Sequence, residues 1–155
     1  MNNSSIEREI EIEAPVEVVW RTITEPELIR TWFSDVADVE ARPGAVGSLT
    51  FRADSDDPYV VGITVVEADR PHRFSYRWVY PPGERATEGN STLVTFTLVA
   101  EGDERTRLRV VESGLDQKDM TDDERQQFFE DHSHGWQVQG DRLRDLFAAG
   151  PASSA

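Results

Sequence analysis

The residues best suited to chemistry lie together near the C-terminus, in the segment EDHSHGWQVQGDRL at residues 130–143. It holds two of the three histidines, His132 and His134, directly after Glu130 and Asp131. Imidazoles and carboxylates can bind a metal ion, exchange protons or line a binding cavity. Which of these applies depends on the element that carries the two histidines, because that element sets the directions of their side chains.

A long helix over residues 121–149 is predicted to carry the segment. Thr121 and Glu124 form a capping-box pattern at its start, and Gly150-Pro151 is a stop signal after its end. Side chains two residues apart on a helix point about 200° away from each other. His132 and His134 therefore cannot converge on one ion, and no metal site is predicted.

One face of this helix is predicted to pack against the rest of the molecule. It carries Phe128, His132, Trp136, Leu143 and Phe147, whereas His134 lies on the solvated side. His132 is then either a core histidine with one hydrogen bond or a polar contact within a ligand cavity.

Gly135 and Gly140 each cost the predicted helix roughly 1 kcal/mol relative to alanine. Close approach of another backbone, or a local bend, would explain them, and drift at an exposed position is the alternative. Gly135 stands beside Trp136 and is expected to be a packing position.

Glu112 is the carboxylate with the most chemical promise. In TRLRVVESG, Leu108, Val110 and Glu112 share one strand face. If that face is concave, burial raises the pKa of the carboxyl, which could act as an acid, a base or a hydrogen-bond partner. Alternatively, the strand end reaches solvent. Arg8 interrupts the apolar face of the first strand in the same way, either as an internal counter-ion or by extending to solvent.

Aromatic residues recur along the chain at positions that suit either a filled core or the wall of a ligand cavity. The predicted wall consists of Trp32, Phe33, Phe51, Tyr76, Trp78, Phe96 and Trp136. Glu112 and His132 are its candidate polar anchors. No catalytic residue and no cofactor are predicted, because there is no Gly-rich phosphate loop and no nucleophile motif.

The order of elements predicts an α+β fold. A strand at 6–13 precedes two short helices at 14–23 and 24–33, with Thr24 and Glu27 as a capping box for the second. Six strands follow between 36 and 113, separated by short polar turns. We therefore expect a curved seven-stranded antiparallel sheet wrapped around the long C-terminal helix. One domain is predicted over 1–155, with its core at 6–148 and flexible ends at 1–5 and 150–155.

Composition narrows the function. The net charge is −14, so nucleic acid is a poor partner. The chain has no cysteine, which excludes disulfides and thiolate chemistry. No apolar run reaches the roughly 20 residues of a membrane span, and no secretory signal is present, so the predicted location is the cytoplasm.

Several motifs, in this order, resemble a known family. They are AP.E.VW..IT.PE.I..WF at 14–33, RFSYRW at 73–78, TRL.VVESG at 106–114 and GW....DRL at 135–143. The chain resembles the SRPBCC superfamily, with the helix-grip fold of birch-pollen allergen and START domains. The nearest branch is named after the activator of the heat-shock-protein-90 ATPase.

The resemblance implies a small hydrophobic ligand, such as a lipid or a polyketide-like molecule, held between the sheet and the C-terminal helix. A co-chaperone-like interaction module is one alternative, although the second domain of eukaryotic co-chaperones has no counterpart here. A cavity enzyme of cyclase or hydrolase type, using Glu112 or His132, is another. A homodimer is the default expectation for assembly.

Overall fold

The computed structural model describes residues 4–79 and 83–148 and confirms the predicted α+β helix-grip architecture. Seven antiparallel strands form one sheet in the order β1-β7-β6-β5-β4-β3-β2, and a β-bulge between Val65 and Glu67 increases its twist. The strands are β1 (Ser5–Ile12), β2 (Val36–Asp38), β3 (Val46–Phe51), β4 (Tyr59–Asp69), β5 (Arg73–Val79), β6 (Ser91–Ala100) and β7 (Thr106–Ser113). The helices are α1 (Val16–Thr24), α2 (Pro26–Ile29) and α3 (Asp122–Ala148).

Alternation along β1 separates the two faces of the sheet. Ile6, Ile10 and Ile12 are buried on the concave face, whereas the glutamates between them face outward. Glu7 and Glu11 form ion pairs with Arg109 and Arg107 of the neighbouring β7. Exposed pairs of this kind add little stability individually, so the concave face carries most of the folding energy.

The two short helices differ from the sequence prediction at their junction. The Thr24–Glu27 capping box is wrong, because Thr24 is the last residue of α1 and its hydroxyl donates to the Trp20 carbonyl at 2.8 Å. α2 is one helical turn long, and Trp32 and Phe33 lie in the non-helical turn that follows it. Trp32 Nε1 donates to the Thr22 carbonyl at 3.0 Å, which ties this turn to α1.

Helix α3 begins as the sequence predicts. The Thr121 N–H donates to Glu124 Oε1 at 2.8 Å, and the Glu124 N–H donates to Thr121 Oγ1 at 3.1 Å, which completes the capping box. The predicted stop signal at Gly150-Pro151 and most of the predicted flexible ends lie outside the described residues. Within the described ranges, no helix has the length and apolarity needed to cross a membrane.

Arg8 and Gly140 set the contact between α3 and β1. Arg8 Nη1 donates to the Gln137 carbonyl at 2.9 Å, and Nη2 donates to Asp141 Oδ1 at 2.7 Å. Arg8 is thus a counter-ion for the helix. A Cβ on Gly140 would lie 2.9 Å from Ile10 Cδ1 and 3.4 Å from Arg8 Nη1. Close approach explains Gly140, whereas the expectation of packing at Gly135 is wrong, since nothing lies within 4 Å of its Cβ position.

The two helical glycines should respond oppositely to alanine. Gly135→Ala is expected to raise the free energy of unfolding by about 1 kcal/mol, because it adds helix propensity in open space. Gly140→Ala is expected to lower it by about 1 kcal/mol, because displacing the Ile10 methyl and the Arg8 guanidinium outweighs that gain. Urea denaturation of both variants measures the difference. Equal stabilisation by the two substitutions would contradict the close contact at Gly140.

Candidate functional site

Glu112 lies at the centre of a buried polar cluster on the concave face of the sheet. Its side chain is fully buried. Thr92 Oγ1 donates to Glu112 Oε2 at 2.5 Å, and Trp136 Nε1 donates to Oε1 at 2.9 Å. His132 Nδ1 lies 2.8 Å from Oε1 and 3.0 Å from Oε2. The cluster therefore joins three elements, because β7 supplies the acceptor, β6 supplies Thr92 and α3 supplies His132 and Trp136.

The pKa of Glu112 is lowered even though its carboxyl is fully buried. Burial acts to raise the pKa of Glu112, but the hydrogen bond and charge of His132, together with the hydrogen bonds from Thr92 and Trp136, hold it below the ordinary value of 4.5. The sequence-based expectation of a raised pKa is wrong, because the donors outweigh desolvation. Since an ionised carboxylate only accepts hydrogen bonds, His132 Nδ1 carries the proton that it shares with Glu112.

His132 is fixed by rings as well as by Glu112. Its imidazole stacks on Phe128 with centroids 3.8 Å apart, and it meets Trp78 edge-on at 5.7 Å. Lys118 Nζ lies 5.4 Å from the centre of the Phe128 ring. His134 is exposed on the opposite side of α3. Among residues 4–79 and 83–148, no group of three or more potential ligands could hold a metal ion.

The geometry of the Glu112 cluster favours positioning over proton transfer by the carboxylate. A carboxylate that orients a histidine can support acid–base catalysis at the other imidazole nitrogen. The carboxylate itself is poorly placed to transfer a proton, because both oxygens of Glu112 already accept hydrogen bonds from side chains that are fixed by the fold. The cluster therefore holds Trp136 and His132 in place on the inner face of α3.

All nine residues of the predicted site lie in one continuous cluster. Phe33 is its hub, with ring centroids 4.8 Å from Trp32, 5.3 Å from Phe51 and 5.3 Å from Trp136. Further ring contacts include Phe33–Trp78, Phe51–Trp78, Tyr76–Trp78, Tyr76–Phe96, Phe96–Trp136 and Trp78–His132. Trp136 and His132 each form a hydrogen bond with Glu112. The sheet and α3 thus bring together residues that are up to about 100 positions apart in the chain.

The interior of this aromatic cluster is almost filled. A void of about 10 Å³ remains, bordered by Trp32, Phe33, Phe74, Tyr76 and Phe96. That volume is about enough for one water molecule. The rings therefore pack mainly against one another.

A larger groove opens beside the cluster, between β1 and α3. Its volume is about 340 Å³, which falls in the range of roughly 300–1,000 Å³ typical of ligand pockets. Ile6, Phe129 and Trp136 give it apolar walls, and Arg8, Ser133 and Gln137 are among its polar ones. Trp136 contacts Phe33 and Phe96 as well, so its indole separates the groove from the aromatic interior.

Thr92 is the site residue that the sequence reasoning missed. It precedes Val94, Phe96 and Leu98 on the buried face of β6, where it is the one polar side chain at the end of an apolar series. A buried threonine on β6, facing the same side as Glu112 on the neighbouring β7, is the sequence signal that could have identified Thr92 as a partner of Glu112.

Comparison with known protein families shows what the chain is similar to. Residues 13–148 match the family model described as Activator of Hsp90 ATPase homolog 1-like protein. A comparison with curated protein sequences found no significant match.

Solved structures share the fold at low sequence identity. A protein of Mesorhizobium loti is 23% identical, with a TM-score of 0.74 over 94% of this chain and 98% of its own. The Aha1 dimer of Colwellia psychrerythraea is 17% identical, with a TM-score of 0.72 over 95% of this chain and 98% of its own. DynU16, a protein in the dynemicin biosynthetic locus, is 23% identical, with a TM-score of 0.70 over 95% of this chain and 48% of its own.

Proposed function

The chain belongs to the Activator of Hsp90 ATPase homolog 1-like family, and on this premise we propose that it binds a small hydrophobic molecule between its sheet and α3. The observation that carries the proposal is the groove of about 340 Å³ between β1 and α3. It has the volume of a ligand pocket and lies where the two layers of the fold meet.

The walls of the groove suit an apolar molecule with a polar edge. Phe129 and Trp136 offer ring surfaces from α3, and Ile6 faces them from β1. Arg8 and Ser133 supply polar atoms at the same groove. A ligand that covers the rings would remove apolar surface from water, which is the main driving force for binding at such sites.

The aromatic interior behind Trp136 is almost filled, so the proposed ligand binds in the groove on the other side of the indole. Trp136 contacts both the groove and the aromatic interior, and its hydrogen bond to Glu112 holds it in place. Phe33 packs against four rings in this interior, those of Trp32, Phe51, Trp78 and Trp136.

The Glu112 cluster favours binding over proton transfer by the carboxylate itself. The carboxylate is saturated with donors and leaves no free oxygen to accept a proton from a substrate. Similarity to DynU16 places a protein of the same fold in a biosynthetic locus, which is consistent with a small-molecule ligand here.

Blocking the groove should prevent binding of a neutral hydrophobic dye. Nile red is expected to bind the wild-type chain with a rise in fluorescence, and Ser133→Trp to weaken that binding about tenfold or more, because the new indole occupies the groove. His134→Trp is the matched control, since it adds the same ring to the exposed side of α3. A fluorescence titration of the three proteins makes the comparison.

Equal binding by the Ser133→Trp and His134→Trp variants would show that the dye uses another surface. If the wild-type chain does not bind the dye at all but stimulates the ATPase of Hsp90, the co-chaperone-like function replaces the ligand-binding one. The family match is the observation that favours this second candidate.

A further inference from the structure

The groove between β1 and α3 borders the backbone edge of a strand as well as its side chains. β1 is an edge strand of the sheet and pairs only with β7 among residues 4–79 and 83–148. Four consecutive residues of β1, from Ser5 to Arg8, line the groove. Successive side chains of a strand point to opposite faces, so a groove on one face alone would be lined by every second residue. The groove therefore reaches the free edge of β1.

The free edge of β1 carries backbone groups that can pair with a further strand. Every second residue of an edge strand directs its N–H and C=O away from the neighbouring strand. Within the described ranges, the backbone of Ser5–Arg8 forms no hydrogen bond with the backbone of any element other than β7. The outer edge of β1 at the groove is thus open to strand addition, in which an extended peptide lengthens a sheet by one strand.

One face of α3 forms the opposite wall of the groove. The residues of that wall are Phe129, Ser133, Trp136 and Gln137, at helical spacing. Phe129 is only half-buried, so part of its ring is free to contact another side chain. Arg8 connects the two walls by donating to the Gln137 carbonyl and to Asp141, so its charge is already paired. A strand edge that faces an apolar helix wall is an arrangement that suits an extended peptide.

The glutamates of β1 select the charge of an added strand. Glu7 and Glu9 are exposed on the outer face of β1. Ion pairs with arginines engage Glu7, Glu11 and Glu13, and Glu9 has none in the part of the chain that the structure describes. The outer side chains of an added strand would lie beside these carboxylates, and opposite charges on neighbouring strands stabilise a sheet. Lysine or arginine is therefore favoured at those positions.

A second copy of the chain does not fit this edge. Pairing two β1 strands with their isoleucines inward would place the glutamates of both copies beside one another, and like charges on neighbouring strands destabilise a sheet. The ends of this chain do not fit it either, because residues 1–3 and 149–155 contain no lysine or arginine. The complementary occupant is a segment of a different protein.

We propose that the free edge of β1 binds an extended segment of another protein by strand addition, and that this segment alternates basic with apolar residues. Its apolar side chains face Ile6, Phe129 and Trp136, and its basic side chains lie beside Glu7 and Glu9. This inference goes beyond the proposed small-molecule function, because the backbone of β1 supplies the recognition. The two ligands use the same ring surfaces, so they compete for the groove.

The test of charge uses a five-residue peptide, Lys-Val-Lys-Val-Lys with both ends blocked, titrated into the wild-type chain by calorimetry. It is expected to bind, and Glu-Val-Glu-Val-Glu to bind about tenfold more weakly or not at all, because its carboxylates would meet those of β1. Failure of the lysine peptide to bind, or equal binding of the two, would overturn the proposal.

A pair of charge-reversal variants locates the attraction. Glu9→Lys should weaken binding of the lysine peptide about threefold or more, because it places a like charge beside the added strand. Glu104→Lys makes the same change in the exposed turn before β7 and is the matched control. At physiological salt, charges are screened beyond about 8 Å, so this control should bind as wild type does. Equal weakening by both substitutions would show attraction to net charge alone and would overturn the proposal.

Backbone pairing is tested on the peptide, so that folding of a variant does not enter. Two versions of the lysine peptide carry N-methyl groups, one on its valine amides and the other on its lysine amides. Only one of these sets of amides faces β1 in an added strand. One version should therefore bind about tenfold more weakly than the parent peptide, and the other should bind as the parent does. Loss of binding by both versions, or by neither, would overturn strand addition.

Competition with Nile red separates this inference from the proposed function. The lysine peptide should displace bound Nile red, because both contact Phe129 and Trp136. Simultaneous binding without displacement would place the peptide elsewhere and overturn the inference. Binding of Nile red without binding of the peptide would overturn strand addition and leave the small-molecule function intact. Binding of the peptide without binding of Nile red would have the opposite meaning.

Discussion

Replacing Glu112 with alanine is expected to lower the free energy of unfolding by about 3–5 kcal/mol, because three hydrogen-bond donors lose their shared buried acceptor. The substitution leaves the donors of Thr92, His132 and Trp136 without an acceptor in a fully buried site. Urea denaturation at neutral pH measures the loss.

Glu112→Gln is expected to cost less, about 1–2 kcal/mol. The amide oxygen can still accept from His132 and Trp136, while the Thr92 hydroxyl turns to accept from the amide N–H. Glu104→Gln is the control, because that carboxylate is exposed in the turn before β7. Its unfolding midpoint should match that of wild type. An alanine variant at position 112 as stable as the glutamine variant would show that the buried donors do not depend on the carboxylate.

Wild type and Glu112→Gln also show how the contribution of Glu112 to stability depends on pH. Because the pKa of Glu112 is lowered in the folded state, its ionised form contributes stability above the ordinary value of 4.5, and this contribution is lost as the pH falls through the folded pKa. The stability difference between wild type and Glu112→Gln should therefore be largest near neutral pH and narrow below about pH 4.5. A difference that grows on acidification would contradict a lowered pKa.

The fold could be predicted from the sequence because its signals are local and repeat along the chain. The alternation of isoleucine and glutamate in β1 fixes which face is buried. The Thr121–Glu124 capping box fixes the start of α3. The junction of α1 and α2 was predicted wrongly because Thr24 can satisfy either of two local hydrogen-bond patterns. The one within α1 forms, where Trp32 Nε1 also donates to the Thr22 carbonyl.

The burial of the candidate residues could be predicted, but neither their chemistry nor the lining of the groove could: of the nine predicted residues, Trp136 alone is among the residues that line it. Periodicity places Glu112, His132 and Trp136 on inward faces, and the structure confirms those positions. Periodicity cannot give the register between β6 and β7, which brings Thr92 to the Glu112 carboxylate. Nor can it identify the three donors that reverse the effect of burial on the pKa of Glu112. Volume is equally inaccessible, because the same aromatic residues can enclose a large cavity or, as here, a void of about 10 Å³.

Trp136→Ala is expected to lower the free energy of unfolding by about 3–5 kcal/mol, the cost of truncating a buried tryptophan. The indole is 5% exposed, stacks on Phe33 at 5.3 Å and meets Phe96 edge-on at 5.9 Å. Removing it also takes one donor from Glu112. Thermal and urea denaturation measure the loss. A loss below about 1 kcal/mol would mean that neighbouring side chains collapse into the space.

Trp136→Phe separates the two contributions of this residue. Phenylalanine keeps most of the ring contact with Phe33 but cannot donate to Glu112, so a loss of about 1–2 kcal/mol is expected from the hydrogen bond. Val138→Ala, on the exposed side of the same helix, should change stability by no more than about 0.5 kcal/mol. If the phenylalanine variant is as unstable as the alanine variant, the hydrogen bond to Glu112, rather than the ring, holds α3 against the sheet. If it is nearly as stable as wild type, the ring itself is the partition between the groove and the aromatic interior.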